Sequence, residues 1–344
     1  MQTARWFIEH DDAVEVHPAV LRAAEIIRLG GLVAFPTETV YGLGANALDA
    51  QAVAKIYHAK QRPLNDPLIV HLASPEDAET LADLSRLREK VQALTARFWP
   101  GPLTLVLPRR PELPPIVSAG LDTVALRMPN HPVALALIRA SQVPIAAPSA
   151  NRFGHVSPTT AQHVLDDLGG RIDVVLDAGP TTVGVESTVL DLTCDPPRIL
   201  RPGGVTRSQL RAVLKDIKVA DPVSSLLDVP APSPGMSPVH YAPRARLCIC
   251  QDAQEMLSRR SAYLAQGRSV GLLLQADQQE ICSACHPYFV LGRGMDEVAR
   301  NLYAGLRALD ALGVDDILVM AVPREGLGEA IADRLARAAA KTKD

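Results

Sequence analysis

The 344-residue sequence predicts an α/β fold in two parts: a twisted, mixed, open sheet, then a small parallel, doubly wound α/β domain. Three observations predict it. Apolar residues make up 47% of the chain and aromatics only 4%, so the core must be mostly Leu, Val, Ala and Ile. Up to about residue 218, strands meet hairpin-like or short loops as often as crossover helices, which suits a partly antiparallel sheet. After a proline-rich stretch at 221–245, strand and helix alternate strictly, which suits a parallel sheet. The expected boundaries are 1–218, a linker at 219–245, and 246–344.

The elements follow in order. AVLRAAEIIRLG (19–30) repeats apolar residues at helical spacing and stops at Gly30-Gly31. LVAF is a buried strand running into Pro36, and PTETVYGLGANA (36–47) reads as a hydroxyl- and glycine-rich loop at its end. Asp49 caps a helix to about Lys60. DPLIVHLA (66–73) is a strand, followed by helices at 75–84 and 86–98. PLTLVLP and TVALRMP are strands, HPVALALIRAS is a helix with proline near its start, and VPIAAPSAN is strand then loop. Ser157 opens a helix at 158–168. DVVLDAG, ESTVLDLT and PRILRPG are short strands before the helix TRSQLRAVL.

Beyond the linker, ARLCIC, SVGLLLQ, HPYFVLG and DDILVMAVP are strands. They alternate with helices at DAQEMLSRRSAYLAQG, MDEVARNLYAGLRALDALG and GEAIADRLARAAAK, a Rossmann-like arrangement. No G-x-G-x-x-G or Walker motif accompanies it.

Composition excludes several classes. A net charge of −3 argues against a protein that coats nucleic acid, although it allows a local basic cleft. The acid-bearing N-terminus does not read as a signal peptide, and no apolar run is long enough for a membrane helix. A cytoplasmic protein with reduced thiols is expected. Cys282 to His286 spell C-x-x-C-H, but haem attachment occurs outside the cytoplasm. Cys248, Cys250, Cys282 and Cys285 could form a thiolate zinc site; small apolar packing suits the RLCICQ strand better.

Polar groups gather where strands end, the usual place for ligands in open α/β sheets. Five clusters do so: Thr37 to Gly44; Lys60, Arg62, Asn65, Asp66 and His71; Thr123 and Arg127; Ser149, Asn151 and Ser157; and Ser187, Thr188 and Arg201. Lys60, Arg62, Arg127 and Arg201 can gather anionic oxygens, and the hydroxyls and Asn151 can donate to them. Each has a plainer reading. Lys60 could serve a helix C-terminus, Ser149 and Asn151 a turn, and His71 a strand core. Their joint placement favours a site that positions anions, as phosphoryl and adenylyl transfer require. No nucleophile elbow or Ser-His-Asp spacing is present.

PTETVYGLGANA, AKQRPLNDPLIVH, FWPGPLTLVL, VALRMPNHP, APSANRFGHVSPT, ESTVLDLT and ILRPGGV, in this order, resemble the YrdC/Sua5 family of threonylcarbamoyl-AMP synthases. PGMSPVHYAP and PREGLGEAIADRLARAA resemble the longer Sua5 form with its C-terminal domain. The resemblance implies a YrdC-like sheet around a basic cavity. It also implies synthesis of L-threonylcarbamoyladenylate from L-threonine, bicarbonate and ATP with Mg²⁺. A tRNA threonylcarbamoyltransferase complex would use the product to modify adenosine 37 of tRNAs reading codons that start with A.

Carried over by motif, Thr39, His71, Arg127, Ala147, Ser149 and Ser187 would hold threonine. Arg62, Asp66, Thr123, Ser157, Arg201 and Tyr241 would hold ATP, with Tyr241 closing over it. Lys60, Arg62, Ser149 and Asn151 would stabilise charge in the reaction. Gly42 and Gly44 would let the backbone approach a ligand, while Glu38 and Tyr41 would shape the loop. An RNA-binding module is a rival from another class, and a hydrogenase-maturation enzyme using carbamoyl phosphate is a second. The second rival's acylphosphatase and zinc-finger patterns are not evident.

Overall fold

The computed structural model describes residues 2–9, 13–220, 231, 233, 240–278 and 285–340. Among these, eleven strands form one mixed sheet. Its order is β1 (Ala4–Phe7), β8 (Val174–Asp177), β2 (Val33–Phe35), β3 (Gly42–Asn46), β7 (Ile145–Ala146), β4 (Ile69–His71), β6 (Thr123–Arg127), β5 (Leu103–Pro108), β9 (Thr188–Asp191), β10 (Arg198–Arg201) and β11 (Lys218–Val219). Strand β3 is antiparallel to both β2 and β7, β7 is antiparallel to β4, and β4 is parallel to β6. The predicted mixture of pairings is therefore present. A strand inside the supposed loop 36–47 was not foreseen, and neither were β1 and β11.

Helices pack on both faces of this sheet, one set against Val33, Phe35 and Val174 and the other against Ala34 and Val175. Helix α1 (Pro18–Arg28) ends at Gly30, whose φ of +76° is the left-handed conformation that suits glycine. Asp49 accepts from the amides of Gln51 and Ala52 and so opens α2 (Ala50–Lys60). Next come α3 (Ala78–Leu81), shorter than the helix expected at 75–84, and α4 (Arg88–Phe98). Pro132 occupies the first turn of α5 (Pro132–Ser141), where its missing N–H costs nothing. Helix α6 (Ala161–Leu168) is capped by Thr160, which accepts from the His163 amide; Ser157 is not the cap.

Side chains alternate across the central strands. Val70, Leu72, Val124, Leu126, Leu105 and Leu107 join the main core with Ile56 of α2 and Leu94 of α4. Each such side chain contributes roughly 1.5–3 kcal/mol when fully buried. Ile69, Val106, Ala125, Val189 and Leu200 form a smaller cluster. The site lies on their side of the sheet.

Helix α7 (Arg207–Arg211) and β11 close the first unit, and Ala220 still bonds back to Ile199. The linker touches that unit again at Ala231, which donates to the Asn65 carbonyl, and Ser233 is buried. Residues 221–230, 232 and 234–239, including the PGMSPV run, lie outside the described residues.

A second sheet has the order β12 (Arg246–Cys250), β15 (Asp316–Met320), β13 (Val270–Gln275) and β14 (Tyr288–Gly292), all parallel. Helices α8 (Ala253–Ala265), α9 (Met295–Ala311) and α10 (Gly328–Ala339) accompany it. Cys250 and Cys285 are buried with Met256, Leu272 and Leu274, and Cys248 packs against them, as small apolar residues do. Cys282 lies outside the described residues; among those described, no three His, Cys, Asp or Glu gather as a metal site. No helix among them is long and apolar enough to cross a membrane.

Candidate active site

The cavity of interest encloses about 500 Å³ including its mouth. Arg62, His71, Arg127, Ala147, Ser149, Ser187, Arg201 and Tyr241 all line it. Its lining gathers at strand ends, as expected: His71, Arg127 and Arg201 are the last residues of β4, β6 and β10, Gly42 is the first of β3, and Ser187 directly precedes β9. Ile69 and His71, two residues apart on β4, both face it, and His71 is the register partner of Arg127 on β6.

The 36–47 stretch shapes one wall. Thr37 Oγ1 donates to the Val40 carbonyl and accepts from the Thr39 and Val40 amides, which makes a tight turn. The chain then runs beside the 147–151 loop: Leu43 N–H donates to the Pro148 carbonyl, Ala150 N–H to the Tyr41 carbonyl, and Gly42 bridges Ser149. Tyr41 donates to the Gly179 carbonyl at 2.7 Å, a structural bond. Glu38 does more than shape the loop. Its buried carboxylate lies 2.7 Å from Arg127, whose Nη2 also donates to Thr39 Oγ1 at 2.9 Å. Gly42 lines the cavity, but Gly44 does not. A Cβ there would lie 2.8 Å from Ile145 and from Phe35, so packing demands that glycine.

Lys60 reaches the site from α2 without lining it. Its ammonium donates to the Ser149 and Asn151 carbonyls, each at 2.5 Å, and burial pushes its pKa well down. Asn151 also works from behind. Its Oδ1 accepts from Ser149 Oγ at 2.5 Å, and its Nδ2 donates to the Arg152 and His155 carbonyls. Thus, of the four residues expected to stabilise charge, two are tethers: Lys60 and Asn151 hold the loop that presents Ser149. Arg62 lines the cavity and is fixed by Asp66 at 2.9 Å and by the Asp66 and Pro67 carbonyls. Burial pushes Asp66 up, and the Arg62 and Lys60 charges oppose that.

His71 is buried, and its Nδ1 has no hydrogen-bond partner among the described residues. Burial, then the Arg127 charge, lowers its pKa to about 3, so it presents a neutral imidazole to the cavity. Ser187 shares a hydrogen bond with Thr104 at 2.7 Å, and Arg201 Nη2 donates to its carbonyl and hydroxyl. Thr188 is structural: its hydroxyl donates to the Val205 carbonyl. Thr123 stands at the far end of β6 from Arg127 and is not on this wall.

Sequence reasoning missed Glu186 and its partners. Glu186 lines the cavity; Oε1 accepts from Ser157 Oγ at 2.6 Å, while Oε2 accepts from Tyr303 at 2.8 Å and Arg334 at 2.7 Å. The partners lie 117 and 148 residues away, so no local pattern signals them. Burial pushes Glu186 up, but Arg334, Arg201 and these bonds offset it, leaving a pKa of about 2. His240 and Tyr241 complete the wall. Tyr241 adopts φ +61°, unusual for a non-glycine, and stacks 5.8 Å from Tyr303. Around the site, Arg62, Arg127, Arg201 and Arg334 face Glu38, Asp66 and Glu186, so guanidiniums outnumber carboxylates.

The chain matches known proteins over both parts. The Sua5/YciO/YrdC family model, described as telomere recombination, matches residues 25–203. The threonylcarbamoyl-AMP synthase C-terminal domain model matches residues 205–340. A threonylcarbamoyl-AMP synthase of Bacillus subtilis is 48% identical, with 98% of each chain covered. One from Schizosaccharomyces pombe is 40% identical over 94% of this chain and 89% of its own. The crystal structure of Pyrococcus abyssi Sua5 complexed with L-threonine superposes with a TM-score of 0.89 at 43% identity, covering 98% of both chains. By sequence and by fold, this chain belongs to the Sua5 family of threonylcarbamoyl-AMP synthases.

Proposed function

We propose that this chain is an L-threonylcarbamoyladenylate synthase and that the cavity over β4 and β6 is where it works. The observation that carries the reading is the wall itself: neutral His71, Ser149 and Ser187 beside the guanidiniums of Arg62, Arg127 and Arg201. Such a wall suits a zwitterionic amino acid next to a polyanion. Threonine would rest against His71, Arg127, Ala147, Ser149 and Ser187, with Thr39 and Glu38 orienting Arg127. ATP would take Arg62 and Arg201, supported by Asp66 and by Ser157 through Glu186, under Tyr241. Thr123 would be reached only by a nucleotide extending past this wall.

The threonine amine attacks CO₂ and loses a proton, giving N-carboxythreonine. A carbamate oxygen then bonds to the α-phosphorus of ATP as the bond to the pyrophosphate oxygen breaks. Pyrophosphate leaves and threonylcarbamoyl-AMP remains. Arg62 and Arg201 hold phosphate oxygens where charge builds, and Ser149, fixed by Lys60 and Asn151 with its proton given to Asn151, turns its hydroxyl oxygen to accept from the threonine N–H. Carbamates lose CO₂ in water, so a wall closed by His240 and Tyr241 protects the intermediate.

Mg²⁺ enters with ATP as part of the substrate. Glu38, Asp66 and Glu186 are each engaged by an arginine, so phosphate and water oxygens supply its ligands. The product would pass in the cytoplasm to a tRNA threonylcarbamoyltransferase. Incubation with ATP, threonine and bicarbonate should release pyrophosphate only when threonine is present. Threonine-independent release, or none, contradicts the reading; tRNA binding without release would favour the RNA-binding alternative.

A further inference from the structure

Arg334 belongs to α10 in the C-terminal unit, yet its guanidinium is buried at the cavity of the other unit. It makes contact with three parts of that wall. Nε donates to Glu186 Oε2 at 2.7 Å, Nη2 donates to the Pro202 carbonyl at 3.0 Å, and the guanidinium carbon lies 5.1 Å from the Tyr241 ring centre. Pro202 directly follows Arg201, and Glu186 directly precedes Ser187. One cation from the second unit therefore meets the neighbours of two ligand-facing residues.

The charges around Glu186 explain why this matters. Ser157 donates from the 157–159 segment, Tyr303 from α9, and Arg334 from α10; Arg201, Tyr241 and His240 also feel its charge. Burial pushes Tyr241 and Tyr303 up, so both stay neutral, and it holds His240 well down. Among the described residues, Arg334 is thus the cation bonded directly to this carboxylate; its Nη1 also pairs with Asp333, which Arg337 holds as well. Arg201 instead donates to Ser187. Without Arg334, Glu186 would be a buried anion on a wall that has to accept phosphates. It would also compete with Ser187 for Arg201.

We propose that Arg334 is a positioning residue of the active site: by neutralising Glu186 across the domain boundary, it keeps the wall attractive to an anionic nucleotide and leaves Arg201 with Ser187. The proposal rests on the reading that this cavity takes ATP. It gives the C-terminal unit a definite task in the reaction.

The test is a charge rescue. ATP affinity is measured by titration calorimetry, alongside threonine-dependent pyrophosphate release, for wild type, Arg334→Met, Glu186→Gln and the double variant. Arg334→Met should weaken ATP binding by about tenfold or more, as expected when one partner of a buried charge pair is removed. Lowering the pH from 8 to 6 should restore part of that loss in Arg334→Met alone, because the stranded Glu186 takes up a proton. Adding Glu186→Gln to Arg334→Met should return affinity to within about threefold of wild type. A purely structural role for Arg334 predicts no rescue and no such pH response. A double variant no better than Arg334→Met, or an Arg334→Met variant with wild-type affinity, overturns the proposal. Should Arg334→Met not fold, Arg334→Lys keeps the charge and should bind ATP within about threefold of wild type; a loss as large as tenfold then overturns it. Wild type that binds no ATP sinks the nucleotide reading itself, an outcome distinct from any behaviour of the variants.

Discussion

The Lys60 ammonium sits in a buried position between two carbonyl oxygens, those of Ser149 and Asn151. A point charge there serves the loop rather than the ligand. Lys60→Met should leave both carbonyls unpaired, costing about 2–4 kcal/mol of stability. It should also lower pyrophosphate release by displacing Ser149. Urea unfolding and a turnover assay check this; an unchanged midpoint would show that the tether carries no energy. His71 supplies a pH test. Its folded pKa, about 3, lies below the ordinary histidine value, so the unfolded chain takes up the proton first. Stability from this group is complete above about pH 6.5 and declines as pH falls from there toward 3. By pH 5 the loss should be about 2 kcal/mol, and His71→Leu should remove that part of the slope in unfolding titrations at pH 7 and 5. Residue types in these motifs were legible from sequence. Which of them face the cavity was not, because Lys60 turns to the 149–151 loop, 89 and 91 residues away, and Asn151 turns to its own loop.

At the scale of elements, hydrophobic period and caps located most helices and strands correctly. Asp49, Pro132 and Gly30 did what their chemistry suggests. Strand β3 escaped because its glycines and hydroxyl-rich approach look like a loop; they are needed because Phe35 and Ile145 crowd Gly44. Ser157 looked like a cap, but its hydroxyl belongs to Glu186, and Thr160 does the capping. Only tertiary contacts decide between such readings. The turn after β10 carries the sharpest element-level prediction. A Cβ on Gly203 would lie 2.3 Å from the Glu186 carbonyl oxygen and 2.4 Å from the backbone of Ser187 and Thr188. Backbone cannot swing away, so Gly203→Ala should push the turn off β9, destabilise by about 1–3 kcal/mol, and weaken threonine-dependent turnover. Thermal unfolding and turnover report both effects. A variant with wild-type values in each would mean the turn has room that the backbone spacing denies.

Across the whole molecule, the two sheets were foreseen but their coupling was not. A shared core holds Val40, Val156, Val185 and Tyr241 with Leu302, Tyr303, Leu306 and Ile331 of the second unit. Arg300 donates to the Thr182 carbonyl at 3.0 Å, and Arg307 pairs with Asp167 at 2.8 Å. Gly184, at φ +82°, lets α9 come close: a Cβ there would lie 2.3 Å from the Arg300 Cα. Such contacts predict a single calorimetric unfolding transition for the wild type, and two for Gly184→Ala as the units come apart. Two transitions in the wild type would instead mean independent units. The central claim is that this coupled cavity joins threonine, CO₂ and an adenylate. Its most direct measurement is mass spectrometry of the products formed from ATP, threonine and ¹³C-bicarbonate. The account predicts threonylcarbamoyl-AMP carrying one ¹³C, in step with pyrophosphate release. An AMP adduct without the label, or pyrophosphate formed with no such adduct, would contradict it.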